Sequence, residues 1–145
     1  MRANELRPGG RLVVLLPGRN DEGAAGFEPL FGDANEALAE MVADGAISAE
    51  DRARMVLGAD PRRRCELLAP FGINGLLDGL NVEHCDLSGL PDAAWADYER
   101  NGDTDILSTR HARFFRSIFV PSLASAIADE GKRNAFPDRL EEKLK

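Results

Sequence analysis

Basic charge, long apolar runs and cysteine are all scarce in this sequence, and each scarcity excludes a class of protein. Lys and Arg number 18 against 25 Asp and Glu, a net charge of −7. A nucleic-acid partner selects for the opposite sign, so none is expected. No stretch approaches the ~20 apolar residues that a membrane span needs. Met1-Arg2-Ala3-Asn4 leads into no apolar signal-peptide core. Cys65 and Cys85 are too few for a disulfide framework or a zinc site. The expectation is a cytoplasmic protein with two reduced cysteines and no membrane partner.

Internal repeats and low-complexity tracts are also missing. What remains is the composition of one globular domain, 43% apolar and 30% charged over 145 residues. The chain is long enough for a real core.

Leu6-Arg7-Pro8-Gly9-Gly10 is a turn that cannot continue a helix, and Arg11 to Leu16 follows it as a short, unalternating apolar run. Such a run predicts a strand buried on both faces, at about 11–16. A second strand is expected at about 80–87, after Asp78-Gly79. The segments 1–20 and 72–90 are therefore sheet-forming, with Gly72 to Gly79 a glycine-interrupted loop. Two strands make no independent sheet of useful stability.

The segments 24–71 and 91–145 are read as helical, with at least five helices. Leu30, Phe31, Ala34, Ala37, Leu38, Met41 and Val42 fall on one helical face, and Gly45 sits where a terminating glycine belongs. Ser48 and Asp51 form a capping box opening a short helix to about Leu57. Asp60 and Pro61 open another, carrying Arg62-Arg63-Arg64 as a solvated face, with anion binding the lesser alternative, and Leu67 and Leu68 inward. Leu90-Pro91-Asp92 starts a short helix with Trp95 and Tyr98, ended by Asn101-Gly102. The longest helix is expected over about 105–128, kinked by Pro121 and stopped by Asp129-Glu130-Gly131. A last one runs from Pro137 to Leu144.

Leu-Arg-Pro-Gly-Gly-Arg before an apolar strand resembles the entry to the fifth strand of class I S-adenosylmethionine-dependent methyltransferases. Three further segments narrow the resemblance to the carboxyl methyltransferases of the salicylate, benzoate and theobromine (SABATH) type. Ala37 to Gly45 resembles their helix ending in small-acidic-Gly, and Gly79 to His84 their next strand. Arg113 to Pro121 resembles their long cap helix, in which an Arg precedes a Pro. The resemblance implies an α/β, helix-rich fold: the C-terminal part of a Rossmann-like domain with its helical cap, so that 1–145 is a single partial domain. It implies methyl transfer to the carboxylate of a small aromatic or other organic acid, the small-molecule partner. A carboxylate of pKa near ~4 is already ionised at neutral pH, so the chemistry needs alignment and dryness more than a base.

By the same resemblance Leu30 and Phe31, with Phe115 and Ile118 on the cap helix, match substrate-binding positions. Aromatics at helical spacing serve equally as core, and both readings stand at this point. No catalytic residue is assigned. His84 and His111 have no partner carboxylate or Ser identifiable from sequence. The family's acidic-x-Gly-x-x-x-Gly loop has no counterpart, and Gly9-Gly10 is the only adjacent glycine pair. S-adenosylmethionine thus serves the complete enzyme, and no cofactor is expected to bind these residues tightly. The expected function is the substrate-cap portion of such an enzyme, inactive alone. A non-catalytic helical binding or dimerisation module derived from that cap is the alternative, with a homodimer covering the apolar run.

Overall fold

A computed structural model describes residues 5–58, 60–71 and 80–145. Among them lie two-residue strands β1 (Gly18–Arg19) and β2 (Arg62–Arg63). The helices are α1 (Glu28–Ala43), α2 (Ala49–Arg54), α3 (Arg64–Leu68), α4 (Ala93–Asn101), α5 (Thr104–Ile118), α6 (Val120–Ala124) and α7 (Glu130–Lys143). The fold is small, helix-rich and α/β, with the two strands parallel. No helix among the described residues is long and apolar enough to cross a membrane. The chain divides into two compact units, Met1–Gly26 with Asp60–Gly89, and Phe27–Ala59 with Leu90–Lys145.

The first unit holds the sheet, and here both strand expectations are corrected. Residues 11–16 form no strand, and Leu12 to Leu16 are exposed, Val13 by 82% and Leu15 by 94%. Residues 80–87 are likewise irregular. A strand is a non-local object, and an apolar run without a paired neighbour satisfies neither its backbone groups nor its side chains. The pairing that does form is Gly18 with Arg62 and Arg19 with Arg63. Arg62 and Arg63 are therefore strand rather than helix face. Asp60 and Pro61 do not open α3; it starts at Arg64, and the Arg63 N–H donates to Glu66 Oε2 at 2.7 Å. The expected loop 72–79 lies outside the described residues.

The second unit holds the apolar core. Ala34, Ala37, Leu38 and Met41 of α1 are buried, as their spacing predicts, with Ala46, Ile47, Phe115, Val120, Leu123, Ile127, Phe136 and Leu140. Helix α1 ends in a Schellman motif: Gly45 takes φ +72°, its N–H bonds the Val42 carbonyl, and the Ala46 N–H bonds that of Met41. The Ser48–Asp51 capping box is present. Asp92 caps α4, and Gly102, at φ +69°, ends it.

The single long helix over 105–128 is corrected to two helices and a turn. Helix α5 stops at Ile118, Phe119 is a turn residue at φ −105°, and α6 follows with Pro121 in its first turn. Proline has no N–H for the carbonyl of Ser117 and crowds it, so the break falls just before Pro121. After Ala124 the chain turns, and Asp129 starts α7 instead of stopping its predecessor. Its carboxylate accepts the Lys132 N–H at 2.8 Å, and Gly131 leaves space beside it. Pro137 therefore lies inside α7 rather than at its start, on a helix anchored by buried Phe136 and Leu140.

Candidate functional site: a four-phenylalanine cluster

Two helices of the second unit each present a pair of phenylalanines one turn apart, and the pairs meet. Phe27 precedes the first residue of α1 and Phe31 follows four positions later, so their side chains share a face. Phe115 and Phe119 do the same at the end of α5. Ring centroids are 6.3 Å apart for Phe31 and Phe115 and 5.1 Å for Phe31 and Phe119, both edge to face. Phe27 meets Phe119 at 6.5 Å, and Phe115 lies 5.0 Å from Phe119. Separations of this size are those at which aromatic quadrupoles attract.

The four residues singled out from sequence are divided by burial. Phe115 is 1% exposed and belongs to the core. Leu30 and Phe31 are half-buried and pack against it. Ile118, 51% exposed, faces solvent. Sequence reasoning placed Phe31 and Phe115 but missed Phe119 and Phe27, the latter preceding the helix. The signal of Phe27 was the four-residue spacing to Phe31. Two cavities of the same unit are lined by other residues: one of about 300 Å³ by Val42, Ala49, Arg52 and Ala53, and one of about 380 Å³ by Met41, Asp44, Ala46, Arg139, Glu142 and Lys143.

Among the described residues two histidines pair with carboxylates. His111 Nε2 lies 2.8 Å from Asp92 Oδ2. Burial works to raise the Asp92 carboxyl. Hydrogen bonds from His111 and from the N–H groups of Trp95 and Ala94 outweigh it and hold the group below its ordinary range. The Ser108 hydroxyl, one turn before His111, donates to the Asp105 carbonyl at 3.1 Å, and among the described residues the hydrogen bonds of the His111–Asp92 pair include no Ser or Cys. His84 lies 3.0 Å from exposed Asp86. No group of three His, Cys, Asp or Glu among the described residues could hold a metal ion.

Asp51 is the buried charge of the unit, 5% exposed. The Ser48 hydroxyl donates to it at 2.7 Å and Arg54 at 2.5 Å, and it accepts the Ala128 N–H at 3.3 Å. The Ser48 hydrogen bond is the chief reason its carboxyl is held below the usual range. Every one of these partners is structural.

No protein-family model matches this chain, and no curated protein matches it.

Proposed function

We propose that this chain is the substrate-cap portion of an S-adenosylmethionine-dependent methyltransferase of the SABATH type, acting on the carboxylate of a small aromatic or other organic acid. The observation that carries the reading is the contact between Phe31 and Phe115. The two segments with independent resemblance to that family's substrate-contacting positions bring their rings together, 6.3 Å apart. Phe31 is only half-buried, so part of its ring stays open to a further ring.

The cofactor does not fit the residues present. The sequence has no acidic-x-Gly-x-x-x-Gly motif to admit a nucleotide close to backbone, and its only adjacent glycines precede an apolar run. S-adenosylmethionine is therefore assigned to residues outside these 145, and no step is derived through it. This chain's part is to align the acid against an aromatic wall and to exclude water from its carboxylate.

Titration of the 15N,13C-labelled chain with sodium benzoate tests this. The Phe27, Phe31 and Phe119 ring resonances should shift together and saturably in the millimolar range, and Phe31→Ala should abolish the response. Unmoved rings would remove the acyl-pocket assignment. Calorimetry with S-adenosylmethionine should show no micromolar binding.

A second reading, a helical module that self-associates, is favoured by the exposed run Leu12 to Leu16. Sedimentation equilibrium separates the two: a dimer that dissociates on Leu15→Lys supports the module.

A further inference from the structure

We propose that Arg19 and Arg63 of the first unit form a binding site for a phosphate group, free or carried on a small molecule. The site shares no residue with the substrate-cap reading, whose four substrate-binding positions all lie in the second unit.

The argument starts from register. Arg19 and Arg63 are paired residues of neighbouring parallel strands. Such residues project to the same face of a sheet, from backbones about 5 Å apart. Like charges side by side on one face oppose each other. The usual remedy is an interposed carboxylate, yet among the described residues neither guanidinium takes an ion pair. The loop after β1 offers Asp21 and Glu22, and Arg63 pairs with neither. That loop is instead closed on itself: the Asn20 N–H bonds the Ala24 carbonyl at 2.9 Å, and Asn20 Oδ1 accepts the Ala24 N–H at 2.7 Å.

Gly23 completes the arrangement. It takes φ +89°, and Arg63 Nη2 lies 3.1 Å from where a Cβ on it would sit. The missing side chain lets the guanidinium lie over the loop at the carboxyl end of β1, where parallel strands present their ligand sites.

The chemistry selects the ligand class. One guanidinium fork fills both oxygens of a monocarboxylate, whereas a tetrahedral dianion has oxygens left for a second fork. Two adjacent arginines therefore match phosphate better than they match a simple acid. The net charge of −7 repels anions in general, so binding here is local rather than a property of the whole surface. Arg62 supplies an internal control. It is the next residue along β2, carries the same charge and points to the opposite face.

The arginine Nε–Hε resonances of the 15N-labelled full chain are followed during titration with sodium phosphate at pH 7, against sodium chloride of matched ionic strength. Those of Arg19 and Arg63 should shift saturably in the low millimolar range in phosphate alone. Arg19→Gln and Arg63→Gln should each weaken binding about fivefold or more, and Arg62→Gln less than about twofold. Arg63→Lys, which keeps the charge and loses the fork, should also weaken it, with an unchanged amide spectrum elsewhere as the check on folding. Tighter binding of phenyl phosphate than of inorganic phosphate would identify a phosphorylated small molecule as the ligand, and equal binding free phosphate. Shifts that chloride reproduces, or an Arg62→Gln loss equal to that of Arg63→Gln, overturn the site.

Discussion

The Asp51 carboxylate accepts the backbone N–H of Ala128 at 3.3 Å, joining the capping box of α2 to a turn 77 residues further on. Arg54 bridges the same gap, donating to Asp51 and to the Ala126 carbonyl at 3.1 Å. A residue that caps its own helix thus also fixes the chain just before α7. Asp51→Ala removes both functions and should lower Tm by roughly 5–10 °C. Because the folded carboxyl is held below its unfolded value, its contribution is complete above the unfolded pKa of about 3.9 and disappears as pH falls through the lower folded value. The Tm difference between wild type and Asp51→Asn should therefore shrink steadily below about pH 4, as read by thermal circular dichroism.

The contact of Phe31 with Phe115 joins a half-buried ring to a fully buried one, so truncating them is unequal. Phe115→Ala opens a cavity in the core and should cost about 3–5 kcal/mol. Phe31→Ala should cost only about 1–2 kcal/mol. A double-mutant cycle in urea should give a coupling of about 0.5–1.5 kcal/mol. A coupling of zero would mean that the two rings are neighbours without being partners.

Helix α4 is tied to α5 mainly through charge. Arg110 reaches Asp97 at 2.5 Å, Arg100 reaches the same carboxylate, and only Ala94 of α4 is buried. These guanidinium hydrogen bonds hold the Asp97 carboxyl below its usual range. Asp97→Asn should raise the amide hydrogen exchange of α4 a few-fold and leave α1 and α7 unchanged, and added salt should mimic it.

Two glycines of one helix should respond to alanine in opposite directions. Gly32 lies within α1 with open space at its Cβ position, so Gly32→Ala should stabilise by about 0.5–1 kcal/mol. Gly45 also has open space, but its φ of +72° is one that L side chains resist. Gly45→Ala should destabilise by roughly 1–2 kcal/mol through backbone strain alone. Equal signs in chemical denaturation would contradict the Schellman ending of α1.

What could be read from the residues was local chemistry. Ser48 with Asp51, Asp92, Gly45 and Gly102 mark helix ends because each acts within a few residues of itself. The face Ala34, Ala37, Leu38 and Met41 followed from periodicity. Long-range features were illegible for the matching reason. Nothing near Gly18 announces that it pairs with Arg62, and nothing near Arg11 to Leu16 announces that these residues join no strand pair among the described residues. Asp129 is ambiguous in sequence because Asp-Glu-Gly suits both a stop and a start, and only the packing of Phe136 and Leu140 decides between them. Of the site, Phe31 and Phe115 were visible through resemblance, whereas Phe27 required knowing where α1 begins.

The exposed run Leu12 to Leu16 separates the behaviour of this chain from that of the enzyme proposed for it. Val13 and Leu15, 82% and 94% exposed, contribute nothing to packing within these residues. Val13→Lys with Leu15→Lys should therefore leave Tm within about 1 °C of wild type, as surface substitutions do. Light scattering should fall, because the charges break an apolar segment open to association. Joined to a cofactor-binding half, the run would become a strand covered on both faces, and the same lysines would be buried without partners. There the double substitution should abolish folding. Harmless substitutions in both contexts would show that Leu12 to Leu16 is not a sheet strand of any larger enzyme, and a lowered Tm in the 145-residue chain would show that the run already packs within it.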